Sequence, residues 1–484
     1  MTPVEIPEWI PVRGMAAGQV LPATAERVVV SPYDGYAVGV VDEHGPEAVA
    51  RAVAVAVGAL GAAPLPAERA RILDRASALV RERADVLARI IAAEAGKPMA
   101  QARGEVSRCV ETLAFCAAVA RTMAGEVIPM DASDAGAGLV GMTMRQPHGV
   151  IAAITPFNFP LNLVAHKLGP AVAVGAPVVL KPAGRAPLSG LALAAILWEA
   201  GLPGDMLCTV MGDRATGEAL VADPRIGMIS FTGSGVVGWA IKAQRADIPV
   251  ALELGSATPV IVHRDADVAR AAEQVAASAF THAGQSCISV QRVLTHRDVH
   301  DAFVEHLLPR VDALVVGDPL DDATDVGPVI DHEAAERILA WVDEARDTGA
   351  RVLCGGHLAG GPTMVAPTVL DGVAPSTRVM TDEIFGPVVG IAVYDRIDDA
   401  IAMANASPVA LQAGIFTARV DRALGWAARL DFGAVIINET PTFRADHQPY
   451  GGRRGAGEAR EGPAAAAMEM TYSKLVITRI AGGE

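Results

Sequence analysis

Between residues 149 and 437 the chain repeats one pattern: a short apolar run closed by Gly, Pro or a charge, then a longer amphipathic stretch. A run without polar alternation is buried on both faces. Strands of that kind belong to parallel sheets, whose neighbours are joined by crossover helices. Strands are predicted at 149–155, 178–181, within DMLCTVMG, within IGMISFTGS, and at 259–262 and 291–295. Helices are predicted between them at 161–173, 188–200 and 265–283, the last capped by Asp265. Upstream, 46–57, 66–95 and 100–120 are Ala-rich and amphipathic, and read as helices. The fold class is therefore α/β, built from βαβ units. At 484 residues the chain exceeds one hydrophobic core, and a boundary is expected near Leu252. Residues 125–143 read as a protruding hairpin, and the tail TYSKLVITRI has strand character. Lying outside the main sheets, the two suggest a small assembly element.

Composition enters by exclusion. The net charge is −15, spread along the chain with no basic stripe, which argues against nucleic acid as a partner. The five cysteines are scattered, with no zinc-ribbon or CxxC spacing. No metal site is expected, and reduced thiols in the cytoplasm are the default. The first residues lack a basic segment followed by an apolar core, so no secretory signal is expected. No apolar run approaches membrane length.

Three segments carry candidate chemistry. SFTGSGVVGW places Gly233, Gly235 and Gly238 in a GxGxxG between a predicted strand and helix, where backbone and helix N-terminus suit a pyrophosphate. On that reading Glu253, about 20 residues on, would hold a ribose; the plain alternative is a tight turn without a ligand. Cys287, in AGQSCISV, follows a predicted helix and a Gly turn, a plausible reactive location, although most lone cysteines are inert core. In TPFNFP, two prolines stiffen the end of a strand around Asn158, whose amide suits an oxyanion donor or a local turn bond.

Together these segments resemble the aldehyde dehydrogenase superfamily over nearly the whole chain. The matching stretches, in order, are ITPFNFPLNL, VVLKPA, GLPGDMLCTVMGD, SFTGSG, LELGS, AGQSC, GDP…GPVI, EIFGPV and PYGG. The resemblance implies a Rossmann-type cofactor domain (1–124 and 144–251), a catalytic α/β domain (252–461) and a small β oligomerisation element (125–143 and 462–484). It implies Cys287 as nucleophile, Asn158 with the Cys287 N–H as oxyanion donors, and Glu253 as the base that hydrolyses the thioester. Glu253 as base conflicts with the ribose reading, and the family reading is preferred because it fits many segments. For NAD(P), the resemblance implies Lys181 at the adenosine ribose and Glu383 at the nicotinamide ribose beside Phe385. Thr155, Pro156, Phe157, Gly233, Ser234, Val237 and Gly255 would line the groove. It also implies a homodimer or homotetramer.

Departures from the family pattern are informative. Where NAD-preferring relatives carry Glu three residues after the lysine, this chain has Gly184, then Arg185; NADP is expected to be accepted. Ser256 and Ala257 alter the loop after the base, and Arg454 and Ala456 replace a Lys-x-Ser-Gly pattern. His166 and Thr281 stand where succinic semialdehyde enzymes carry arginines. The substrate wall is expected from Asn162, His166, Thr281, His282, Ser286, Ile288, Arg444 and His447, pointing to a small polar or anionic aldehyde. A CoA-acylating enzyme, a non-catalytic member and a thioesterase-like hydrolase are the competing readings, and retention of Glu253 argues against the first.

Overall fold

The computed structural model describes residues 4–480. Two seven-stranded sheets organise it. The first runs in the order Val250–Glu253, Ile226–Thr232, Val150–Ile154, Val178–Lys181, Leu207–Thr209, all parallel, followed by two short antiparallel strands, Met15–Ala16 and Gln19–Val20. The sequence order reverses beside Val150–Ile154, so a crevice opens at the C-terminal ends of that strand and Ile226–Thr232, where open α/β sheets bind ligands. The second sheet runs Arg351–Cys354, Thr368–Asp371, Val388–Tyr394, Arg292–His296, Pro259–Val262, Gln412–Phe416, Ala434–Ile437, parallel except for its first strand. The first sheet carries an apolar cluster on each face, and the second sheet has its own.

The helix Asn162–Val174 is buried at every position. Its first N–H groups have no partner inside the helix. Glu105 supplies one, accepting from Leu161 N at 2.9 Å and Asn162 N at 3.1 Å, while Lys97 neutralises Glu105. A helix so held presents Asn162, His166 and Lys167 at fixed positions.

Several elements differ from expectation. The stretch 66–95 is two helices, Pro66–Glu82 and Ala84–Ala95, broken at Arg83, whose guanidinium bonds Glu199 (2.8 Å) and stacks on Trp9 (4.4 Å). The helix expected at 265–283 is Val268–Ala279, because Asp267, not Asp265, caps it through Arg270 N (3.1 Å); Asp265 is occupied by Thr417 and His263. The tail strand Thr471–Arg479 pairs along its full length with Leu139–Pro147, whose other edge pairs with Val127–Ile128, making a three-stranded sheet apart from the two cores. Among the described residues no helix is long and apolar enough to cross a membrane, and no cluster of His, Cys, Asp and Glu suits a metal ion.

Candidate active site

The first sheet offers the C-terminal ends of its strands to the site, and the second offers the N-terminal ends of its own. From the first come Glu253, the segment Thr155 to Asn158, and Gly233 and Ser234. From the second come Cys287 ahead of Arg292–His296, Glu383 and Phe385 ahead of Val388–Tyr394, and Leu411 ahead of Gln412–Phe416. All of them line one cavity of about 760 Å³, together with Gly255, Val237, Arg337, Trp341, Arg444, Tyr450 and Glu461. A second cavity of about 630 Å³ shares Phe231, Val236 and Val237 with it and holds Lys181, Gly184, Arg27 and Arg185.

Cys287 is delivered by a strained turn. After the helix ends at Ala279, His282 (φ 50°), Ala283 (φ 52°) and Gly284 (φ 70°) are consecutive left-handed residues. Each L side chain in that region costs roughly 1–2 kcal/mol. Other contacts impose the shape. His282 N donates to Gln101 Oε1 (2.7 Å). The Gln285 amide donates to His282 O (3.2 Å) and Pro328 O (3.3 Å) and accepts from Ile330 N (2.8 Å). A Cβ at Gly284 would collide with the Gly386 carbonyl. The half-buried Cys287 lies with its Sγ 2.9 Å from the Tyr450 hydroxyl. Burial pushes its thiol up to about 12.

Asn158 is buried. Its Nδ2 donates to Gln285 O at 2.9 Å, which ties it to the nucleophile turn, and Nδ2 carries a second hydrogen for another acceptor. Glu253 ends its strand, and both carboxylate oxygens are buried without a hydrogen-bond partner. Burial first, then the nearby Glu461 charge, raises its pKa well above the usual range. Glu461 goes the other way. Burial would raise it, but Arg444 (Nη2 to Oε2, 3.0 Å) and Lys167 (Nζ to Oε1, 3.7 Å) outweigh that and hold it low. Lys167 also donates to Ser230 Oγ at 3.0 Å.

At the cavity's far wall, Glu383 accepts from Ser256 N (3.1 Å), and burial raises it to about 7. Gly255 is needed there, because a Cβ would run into the Glu383 carboxylate. Ser256, one of the departures from the family pattern, thus holds both Glu383 and, through its Oγ, Leu411 N (3.2 Å). Phe385 meets Phe157 edge-on at 5.9 Å. The GxGxxG splits its tasks. Gly233 and Ser234 line the cavity, whereas Gly238 lets the helix Gly235–Gln244 lie close on Leu252 and Leu254. Glu253 lies with Cys287, not in the cavity that holds Lys181.

Of the side chains expected to form the substrate wall, only Arg444 lines the cavity. His166 is buried behind it, its Nε2 donating to Asp446 (3.0 Å) with Arg444 Nη2 3.2 Å away, and Asn162 donates to the same Asp446 oxygen (3.0 Å). His282 lies buried in the nucleophile turn. Thr281 bonds back to Ala277 O (3.0 Å), and Ser286 Oγ accepts from Ile288 N (3.4 Å). Ile288 packs against Leu411, Tyr450 and Ala456, and His447 stacks on Phe115 at 4.8 Å. Sequence reasoning missed Lys167, Arg27 and the two late residues Tyr450 and Glu461. Only Tyr450 had a signal, its place in PYGG.

A model of the aldehyde dehydrogenase family matches residues 21–476. The 3-sulfolactaldehyde dehydrogenase of Priestia aryabhattai is 42% identical over 89% of this chain and 90% of its own length. Aspartate-semialdehyde dehydrogenase 1 of Pseudomonas canavaninivorans is 42% identical over 94% of this chain and 97% of its own. Among solved structures, NADP-dependent glyceraldehyde-3-phosphate dehydrogenase from Bacillus halodurans C-125, complexed with NADP, superposes with a TM-score of 0.94 at 34% identity, covering 97% of this chain and 100% of that one.

Proposed function

The chain belongs to the aldehyde dehydrogenase family and so oxidises an aldehyde to its acid with reduction of NAD(P), and we propose that Cys287, Asn158 and Glu253 carry that reaction on a small, anionic aldehyde. One observation carries the assignment: a sulfur, an amide and an unpartnered carboxylate from three separate elements line the same cavity.

The groove fits a dinucleotide. Its two cavities meet at Val236 and Val237, in the first turn of the helix Gly235–Gln244, and a helix N-terminus favours a phosphate. Lys181 would hold the adenosine ribose, Glu383 the nicotinamide ribose, and Thr155 to Phe157 with Gly233, Ser234, Val237 and Gly255 the span between. When bound, the nicotinamide supplies the hydride acceptor. The chain's own residues do the rest. Glu253 takes the Cys287 proton, and the sulfur attacks the carbonyl carbon. The Asn158 amide and the Cys287 N–H face the oxygen that becomes negative. Once the thioester stands on Cys287, Glu253 gives up that proton to solvent, removes another from the attacking water, and the acid leaves. A hydrolytic base beside the thioester favours free acid over transfer to CoA.

Gly184 supports use of NADP. Arg27 Nη1 lies 2.5 Å from where a Cβ at Gly184 would be, so a cation fills the space of a ribose-binding carboxylate. For the aldehyde, Arg444 is the buried cation on the cavity wall, with Nε unpartnered, and two of the relatives at 42% identity are named for aldehydes bearing a sulfonate or a carboxylate. Free cysteines fit a reducing cytoplasm, and the three-stranded sheet fits assembly into a homo-oligomer.

The test is a panel of small aldehydes, anionic and neutral at matched length, with NAD and NADP and without CoA, read by reduced-cofactor absorbance and free acid. Anionic members are expected to give the higher kcat/KM, and Cys287→Ser to lose at least about 10³-fold in kcat. Turnover surviving in Cys287→Ser, or an absolute need for CoA, sinks the assignment.

A further inference from the structure

A thiol on the floor of an apolar cavity is a poor nucleophile. Burial disfavours the thiolate, and thiolate is the reactive form. Reactive cysteines elsewhere are relieved by a helix N-terminus or an adjacent cation. Here the helix before Cys287 ends at Ala279 and presents its C-terminus instead. The group that touches the sulfur is Tyr450, whose hydroxyl lies 2.9 Å from Sγ.

Tyr450 is held so that its hydroxyl has little freedom to turn elsewhere. Its backbone exchanges hydrogen bonds with Glu461 (N to O 3.0 Å, and Glu461 N to Tyr450 O 2.6 Å). Its ring is buried among Ile288, Leu411 and Ala456. The Arg444 guanidinium lies over the ring face, 3.8 Å from its centre. A cation there draws density from the ring and makes the phenolic O–H a better donor. Arg444 is itself fixed by Glu461. The phenol stays protonated, since burial and the neighbouring sulfur raise its pKa well above the ordinary value.

We propose that Tyr450 is a catalytic residue: its O–H donates to the Cys287 thiolate, strengthened by Arg444 over the ring. This rests on Cys287 being the nucleophile. The proton balance is closed. The S–H bond breaks with its proton going to Glu253, which passes it to solvent before it takes a proton from the hydrolytic water, and Tyr450 keeps its own proton throughout. The S–C bond forms as the carbonyl π pair moves to oxygen. In deacylation the S–C bond breaks and the pair returns to sulfur, where the same O–H stabilises the departing thiolate. One fixed donor therefore serves both halves of the turnover.

Tyr450→Phe removes the hydroxyl and keeps the ring under Arg444. In full-length enzyme without cofactor or aldehyde, the rate of iodoacetamide alkylation of the Cys287 peptide is followed by mass spectrometry across pH 6–10. In the variant the profile is expected to move about one pH unit upward, so that alkylation at neutral pH slows about tenfold. Melting temperature and NADP affinity are expected to be unchanged. Arg444→Met is expected to move the profile the same way by less. Superimposable wild-type and Tyr450→Phe profiles overturn the proposal, and so does faster alkylation in the variant, which would mean that the phenol shields the thiol. Failure of the underlying reading is separable, because alkylation needs no turnover, whereas aldehyde oxidation persisting in Cys287→Ser removes the nucleophile itself.

Discussion

Glu253 and Glu461 face the same cavity, and their surroundings drive their proton affinities apart. Glu461 is pinned by Arg444 and Lys167 and stays ionised, while Glu253 has no donor on either oxygen and is raised. Such divergence separates a fixed countercharge from a group free to exchange protons. Glu253→Gln keeps the shape and removes the base. It should lower kcat by about 10²–10⁴ while leaving one burst of reduced cofactor per site, itself slowed because Cys287 loses its proton acceptor, with the acyl group found on Cys287 by intact mass. The sign with pH follows. The carboxylate is the working form, so wild-type hydrolysis falls as pH drops through the raised pKa, and that acid limb should vanish in Glu253→Gln. A raised cofactor KM with kcat intact would instead make Glu253 a ribose ligand. That Cys287, Asn158 and Glu253 meet at one cavity was legible in the sequence because each sits in a distinctive short segment. Tyr450 was visible as a motif letter only, since its role lies in a distance to a sulfur 163 positions away. His166 and His447 misled because proximity to a motif does not say which face a side chain takes.

Among the elements, the two-faced parallel strands were the most legible, with 178–181 and 259–262 observed at their expected bounds. Burial on both sides writes an unbroken apolar run. The N-terminal hairpin, Ala25–Val30 with Ala37–Glu43, left no such trace, because its outer face is exposed and its strands alternate. Yet it carries Arg27 into the cavity that Gly184 and Lys181 line, paired with Glu43. Arg185, the cation expected there, is engaged by Asp331 at 3.1 Å. Gly184 and the hairpin therefore work as one device: the glycine vacates a position and the hairpin fills it with positive charge. Loss of a charge-assisted contact to a 2′-phosphate is worth about 1.5–3 kcal/mol. Arg27→Ala should thus reduce kcat/KM for NADP by about tenfold or more and leave that for NAD within about twofold, measured as paired initial rates. Equal loss with both cofactors would show that Arg27 merely holds the hairpin through Glu43.

Across the whole molecule apolar clusters flank both seven-stranded sheets, and the three-stranded sheet contributes no residue to them. Its outer strand, Thr471–Arg479, pairs on one side only, which leaves nine residues of backbone with an open edge. Leu475 and Ile477 on that strand are about half exposed (50% and 48%), with Met142 and Met144 exposed on its partner. A long apolar edge of this kind invites pairing with another chain, and proteins that stay monomeric blunt it with charge, proline or a covering element. Among the described residues nothing covers it, and the strand's only charges are Lys474 and Arg479. A second copy lying on this strand would remove that exposed surface, as the homo-oligomer proposed above requires. Leu475→Asp combined with Ile477→Asp puts like charges on that surface, where close approach of two copies is unfavourable. Light scattering after size exclusion should show the wild type as a closed oligomer and the double variant at a smaller mass. Circular dichroism should be unchanged, because neither side chain enters a core. An unchanged mass in the variant would move the assembly surface elsewhere and leave the edge strand without a partner.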